Sequence, residues 1–294
     1  MDHLATDGSP NGGGNIAPQG QPADGSVRVA ALAEARGVVC DALASVRNLE
    51  HLLRSPRVGA RAIAQLIPGL KGSCDPLAFS VDQILEQVRA VANAPVEGAT
   101  TELEAFMPGV VDRLRAALDQ RSGGAVDAKG RLAFENAIVL VGAELNSVRQ
   151  LLDLLIRATE RSDTDLSIQE VVHETFVASF RPGPPRNPIT VLASYETDAS
   201  DFRASPQILM PLISIAIAMV RGAAGEPISL QAICMQDEPV QIIVSRGGPR
   251  GTEEYTFEPP LIVAPTLVCA QTAARLAGGT FVADADRGAL CWPR

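Results

Sequence analysis

The chain has 294 residues, of which 46% are hydrophobic and 20% are charged, and its formal net charge is −9. This length accommodates one large domain or two ordinary ones, and the composition allows a substantial buried core. The acidic balance, without any basic cluster, argues against nonspecific binding to nucleic acid or to anionic membranes. No apolar run reaches the roughly 18 residues of a transmembrane helix, and the N-terminus lacks the layout of a signal peptide.

The cysteines and histidines give no sign of a disulfide framework or a metal site. The chain contains five cysteines and three histidines, and no two cysteines have the C-x-x-C spacing. An odd number of scattered cysteines is typical of a reduced protein. We therefore predict a cytoplasmic protein that holds no metal and no cofactor.

The first segments of the chain are a polar tail and a long helix. Residues 1–26 contain almost nothing to bury, which predicts a disordered tail. The following apolar residues recur at alternating spacings of three and four from Leu32 to Leu53, a seam that faces another helix. Pro56 is expected to end or kink this helix, and the segment "PGLKGSCDP" at 68–76 is expected to break its continuation.

Three further helices complete the first half of the chain. Two shorter ones are predicted near 76–93 and 101–120, and the strongest one near 131–161. The last helix carries a second seam of the same spacing from Phe134 to Leu155. Because two such seams exceed what one thin hairpin can cover, we expect a homodimer held together by helix pairing.

The character of the sequence changes at "RSDTDLSIQEVV", where strands appear between the helices. A helix is predicted over 168–180, and Ser205 is a plausible N-cap for a very apolar helix. The predicted strands are "ITVLASYE", "ISLQAICM" and "EPVQIIVSR"; after the loop "GGPRGTEEYTFEPP" come a helix, "APTLVCAQTAARLA", and a hairpin, "GGTFVADADRGALCWP". We therefore predict a helical dimerisation domain over 27–163 and an α+β domain over 164–294.

This order of elements, after a long seam-bearing helix, resembles the catalytic half of the sensor histidine kinases. Their ATP-binding domain belongs to the gyrase, Hsp90, histidine kinase and MutL superfamily. The resemblance covers about 131–294, and it is most specific in "TAARLAGGTFVADADRGALCWP", which is similar to the family's closing helix, Gly-Gly turn and hairpin. It implies a helical bundle followed by a Bergerat-like two-layer α+β sandwich.

The resemblance also implies that the nucleotide-binding positions have been replaced. Ile215 stands where the family has an Asn that coordinates Mg²⁺, and isoleucine offers no oxygen ligand. In "VSRGGPRG", Arg246 replaces the adenine-binding Asp, Gly248 stands at the first glycine and Arg250 at the second; arginine can only donate hydrogen bonds. Ala264 lies where the lid should end in Gly-x-Gly. We therefore expect that ATP–Mg²⁺ is not bound and that "VSRGGPRG" is an ordinary connection between a strand and a loop. Whether the cleft binds a different ligand is left open.

The segment "HLLRSP", which begins at His51, resembles the family's H-box with its phosphoacceptor histidine. His51 lies about 200° around the helix from Leu49 and from Leu53, so it points away from the seam. Leu52, however, replaces the acid of the box. Two interpretations therefore remain for His51: an ordinary surface histidine beside Glu50, or a phosphoacceptor.

The other candidate residues are interpreted as structural. His173 lies in the helix that links the two domains. Glu253 and Glu254, together with Asp284 and Asp286, have no companion nucleophile or metal ligand, so they are read as solvated faces.

The most economical function is an enzymatically inactive histidine kinase-like adaptor or scaffold in two-component signalling, a pseudokinase. We expect it to bind a response regulator or a histidine kinase, and to have no nucleic-acid or membrane partner. The alternative is a histidine phosphotransferase that relays phosphate through His51 without ATP.

Overall fold

The computed structural model describes residues 24–54, 60–91, 96–122, 128–160, 162–178, 188–198, 201–220, 226–247, 251 and 253–293. The predicted tail lies outside these residues except for its last three, which already belong to the first helix. Pro56, Gly248 and Arg250 also lie outside the described residues.

Four long helices form the N-terminal part: α1 (Asp24–Arg54), α2 (Ala60–Val91), α3 (Glu97–Ser122) and α4 (Ala128–Glu160). Helix α1 contacts α2 and α4, and α3 contacts the same two helices, so the four close into one bundle. Helices α1 and α4 run antiparallel, with Arg47 donating to Asn146 (3.2 Å) and Arg36 paired with Asp153.

Both predicted seams are buried within this single chain. Leu49 of α1 and Leu145 of α4 are each 0% exposed, and the other residues of the two seams are also buried, apart from Ala42, which is half-buried. The two seams therefore do not need a second chain to be covered, because α1 and α4 cover each other while α2 and α3 close the bundle. The homodimer itself stays a prediction.

The predicted break at 68–76 is also wrong, since α2 continues through Pro68 and Pro76. Each proline removes one backbone hydrogen bond from the helix. The buried face nevertheless continues through both of them, with Ile67, Leu70, Cys74, Leu77 and Val81 all covered. Burial against α1 and α3 therefore outweighs the local cost of the two prolines. The sequence-based prediction of a break rests on that local cost alone.

The second part of the chain carries a mixed sheet and three helices. Its elements are β1 (Thr164–Leu166), α5 (Ile168–Ala178), β2 (Ile189–Thr197), β3 (Phe202–Ala204), α6 (Pro206–Met219), β4 (Ile228–Cys234), β5 (Val240–Arg246), β6 (Glu253–Phe257), α7 (Thr266–Leu276), β7 (Thr280–Ala283) and β8 (Arg287–Trp292). Six strands form one sheet in the order β6-β2-β4-β5-β8-β7, in which only β2 and β4 are parallel, and β1 pairs separately with β3. The prediction of a helical part followed by an α+β part is therefore confirmed.

Helices α6 and α7 lie between the sheet and the bundle. Helix α6 contacts β5, β7 and β8 as well as α4, and α7 contacts β7 as well as α3 and α4. At Gly288 of β8, an added Cβ atom would lie only 3.1 Å from the Cβ atom of Ala216, so helix and sheet approach closely there. One buried core accordingly runs from Ala31 to Trp292, across the predicted boundary between 163 and 164.

None of the helices in the described part of the chain is long and apolar enough to cross a bilayer.

Replacement of Leu145 by alanine tests the burial of the α4 seam. We expect Leu145→Ala to lower the free energy of unfolding by about 2–5 kcal/mol, because it leaves a cavity in the bundle. Leu140, on the same helix but 46% exposed, is the matched control, and Leu140→Ala should change stability by no more than about 0.5 kcal/mol. Urea unfolding followed by circular dichroism measures both, and equal small effects would contradict the packing described above.

Candidate functional site

Ile215 lies in the core of the protein. It is 7% exposed, and the adjacent Ala216 and Ile217 are both fully buried. Helix α6 is covered by the sheet on one side and by α4 on another. The hydrocarbon side chain of Ile215 cannot coordinate Mg²⁺, which takes oxygen ligands. Ile215 therefore does not fit the ion that the resemblance would require at this position.

Arg246 ends strand β5 and is tied to two neighbouring elements. Its Nε donates to the carbonyl of Val220 (3.3 Å), the C-cap residue of α6, and its Nη1 lies 3.4 Å from Oδ1 of Asp286. The backbone N–H of Arg246 also donates to the carbonyl of Asp286 (3.3 Å). A cation at the C-terminal end of a helix is favourable because it meets the negative end of the helix dipole. Arg246 thus joins β5, α6 and the β7–β8 turn.

The segment before α7 is fixed by its own hydrogen bonds and by the bundle. Ala264 is exposed in the turn that precedes the helix. The backbone N–H of Val263 donates to the hydroxyl of Thr266 (3.0 Å), and the hydroxyl of Ser147 on α4 donates to the carbonyl of Leu261 (3.1 Å). The segment before α7, where the resemblance would place the end of a lid, therefore contacts α4.

Helix α7 meets the beginning of α3 just as closely. A Cβ atom added at Gly98 would lie 3.6 Å from Cγ1 of Val268, and Ala99 and Cys269 are both 0% exposed. Burial raises the pKa of the Cys269 thiol, so the thiol stays protonated and is a poor nucleophile. The interface is a packed apolar contact rather than an open cleft.

Among the residues that the structure describes, no group of three or more His, Cys, Asp or Glu side chains is arranged to bind a metal ion.

His51 is exposed in the last turn of α1, whereas Leu49 and Leu53 on either side of it are buried. The predicted orientation away from the seam is therefore confirmed. Arg47 and Arg54, four residues before and three residues after His51, lie on the same side of the helix, and both are exposed. The imidazole is thus accessible to a partner and is bordered by two cations.

The end of α1 that carries His51 is held by ion pairs and by α4. Arg54 pairs with Glu50 (2.5 Å), and Arg131 of α4 donates to the carbonyl of Leu53 (3.2 Å) while it pairs with Glu135. Leu52, which replaces the acid of the H-box, is half-buried. No carboxylate therefore directly follows His51 to orient its ring.

A second polar cluster, which sequence reasoning missed, lies where β2 meets β6. The register pairs Ala193 with Glu253 and Val191 with Tyr255, so Tyr195, Glu253 and Tyr255 share the side of the sheet that faces the helices. Oε2 of Glu253 accepts hydrogen bonds from Tyr255 (2.5 Å) and from Tyr195 (3.2 Å). The prediction that Glu253 is only a solvated surface charge is therefore wrong, because its carboxylate accepts hydrogen bonds from both tyrosines.

Aromatic rings from α5 complete this cluster. Phe176 stacks on Tyr255 with a centroid distance of 4.2 Å and an interplanar angle of 12°. The ring of His173 meets the edge of Tyr255 at 6.1 Å, although His173 is exposed. The alternation of Glu253, Tyr255 and Phe257 is a period-two pattern that could have revealed β6 in the sequence.

The surroundings of the two tyrosines suppress their ionisation. Burial raises the pKa of Tyr195 well above its ordinary value of 10.0, and its hydrogen bonds to Tyr255 and Glu253 raise it further. Burial also raises the pKa of Tyr255, as does its hydrogen bond to the Glu253 carboxylate. Both phenols are therefore held in the neutral, donating form.

Comparison with known proteins gives little further guidance. No protein-family model matches the chain, and no curated protein matches it. Among solved structures, the chain is similar to the crystal structure of a histidine kinase from Burkholderia phymatum STM815, with a TM-score of 0.28 and 14% sequence identity over 68% of this chain and 97% of that one. A likeness at this level carries no argument about ligand or activity.

Alkaline titration tests the tyrosine cluster. Phenols of the unfolded chain ionise near pH 10, about their ordinary value, whereas those of the folded chain ionise at higher pH. The folded state therefore holds more protons above about pH 10, and stability should fall as the pH rises past that value.

Both tyrosines of the chain belong to this cluster, so phenolate absorbance reports on it alone. We expect the absorbance to rise together with the loss of the circular dichroism signal. Phenols that ionise near pH 10 in a protein that is still folded would contradict the described hydrogen bonds.

Proposed function

We propose that this protein is a non-catalytic, histidine kinase-like adaptor that binds a response regulator or a histidine kinase in two-component signalling. The observation that carries the proposal is the burial of Ile215 in a helix covered by both the sheet and α4. A nucleotide site needs an open concave pocket with a few converging polar groups. The burial of Ile215, Ala216 and Ile217 supports the proposal that no such pocket forms around α6.

The surroundings of Arg246 support the same conclusion. Its guanidinium is directed at the Val220 carbonyl and the Asp286 carboxylate, and it has no acceptor to offer to an adenine amino group. This residue contributes to the structure rather than to nucleotide recognition. A protein that keeps such an architecture without its catalytic groups is suited to binding a partner.

A phosphotransferase that acts through His51 is the second candidate, and the accessibility of this residue favours it. Transfer would form a bond between an imidazole nitrogen and the phosphorus of a partner's phospho-aspartate while the bond to the aspartyl oxygen breaks. Arg47 and Arg54 would attract the phosphoryl group by charge. Because Leu52 supplies no carboxylate to the ring, we expect any such transfer to be slow.

Incubation with the kinases and phosphorylated receiver domains of the host distinguishes the two functions. The full chain, its His51→Ala variant and its His173→Ala variant are each tested for receiver-domain binding by calorimetry and for acid-labile phosphate. His173 is the matched control because it is also an exposed histidine on a helix. As an adaptor, all three proteins should bind equally and none should carry label.

The remaining outcomes decide against the adaptor. Label on the wild type and on His173→Ala that disappears in His51→Ala would establish the phosphotransferase instead. If no kinase or receiver domain binds and no label appears, both functions are contradicted.

A further inference from the structure

Strand β6 forms one edge of the six-stranded sheet. It pairs with β2 on one side, and no strand of the described part of the chain pairs with its other side. The register with β2 is continuous from Ile189–Phe257 to Ala193–Glu253, without a bulge. Alternate N–H and C=O groups of such an edge point outward, where they can pair with another extended segment.

Helix α5 packs against β6 and exposes one large apolar side chain, Val177. His173 meets the ring of Tyr255, so this side of α5 faces β6. Val177 follows His173 by four residues, which places it on the same side of the helix, and it is 58% exposed. A segment added beside β6 would cover Val177 with its side chains on the helix-facing side.

The charge of the edge indicates which kind of segment fits. Glu253 and Glu254 of β6 are exposed, as are Glu170 and Glu174 of α5. Glu253 points to the helix side of the sheet, where it is held by two tyrosines, and Glu254 points to the opposite face. Each face of the edge therefore carries a carboxylate, and the two belong to consecutive residues.

We infer that β6 binds an extended basic segment of a partner protein by strand addition. Consecutive residues of an extended peptide also point to opposite faces, so two adjacent Lys or Arg residues would meet Glu253 on one face and Glu254 on the other. A second copy of this chain is a poorer occupant, because it would bring its own four carboxylates to the same edge. This inference goes beyond the proposed function, since it involves neither His51 nor a two-component partner.

A synthetic probe tests both components of the recognition. The probe is a short Val/Thr peptide with a central Lys-Arg pair and a fluorescent label, and its binding to the full chain is followed by anisotropy. Two matched peptides are compared with it: one with Glu-Glu in place of Lys-Arg, and one with methylated backbone nitrogens. The second keeps the charge but cannot donate backbone hydrogen bonds.

We expect the Lys-Arg peptide to bind, with an affinity that falls as salt is added, and both matched peptides to fail. The Glu253→Gln/Glu254→Gln variant should lose about tenfold or more in affinity, which corresponds to about 1.4 kcal/mol. The control variant Glu226→Gln/Glu238→Gln makes the same change in net charge at two exposed positions elsewhere, and it should bind as the wild type does.

Several results would overturn the inference. Equal binding of the methylated peptide would show that charge alone is recognised, and no binding of the Lys-Arg peptide at millimolar concentration would remove the site. A concentration-dependent dimer in which the β6 amides are protected from hydrogen exchange without peptide would identify a second copy as the occupant.

Discussion

Helix α6 is apolar on nearly every side, and a sheet can cover only one of those sides. Its buried residues are Ile208, Leu209, Leu212, Ile213, Ile215, Ala216, Ile217 and Ala218, and α5, α7 and the bundle helix α4 contact it in addition to the sheet. Fully burying one such aliphatic side chain is worth about 1.5–3 kcal/mol, so exposing this face would be costly. The bundle and the sheet therefore depend on each other through α6 and, in the same way, through α7.

Ile215, the position at which the proposed family resemblance would require a Mg²⁺ ligand, is buried. The segment before α7 contacts α4 through Leu261 and Ser147, and α3 packs against α7. Arg246 donates a hydrogen bond to the carbonyl of Val220 at the end of α6. In the described part of the chain, His51 is exposed and β6 has no strand paired with its outer side.

Local periodicity was sufficient to predict much of this fold. The seams of α1 and α4 and the buried strands β2, β4 and β5 follow directly from it, because one face of each is covered. Pro68 and Pro76 predict a break that α2 does not have, because the packing that outweighs them is not a local property of the sequence. The pairing of the two seams within one chain was missed for the same reason.

The tyrosine cluster depends on contacts that local periodicity does not predict. Tyr195 and Tyr255 are brought together only by the register of β2 with β6, and β6 itself begins with two glutamates beside glycine-rich sequence, which is typical of a loop. The very short strands β1 and β3 likewise offer too few residues for a periodic signal. Contacts of this kind depend on tertiary pairing, which a single sequence does not display.

Calorimetric titration of the full chain with ATP and Mg²⁺ tests the central proposal, that this protein does not bind nucleotide. Because Ile215 offers no oxygen and α4 covers α6, the account predicts no saturable heat at millimolar nucleotide. A dissociation constant in the micromolar range would contradict it, since binding of that strength requires an open pocket with converging polar groups.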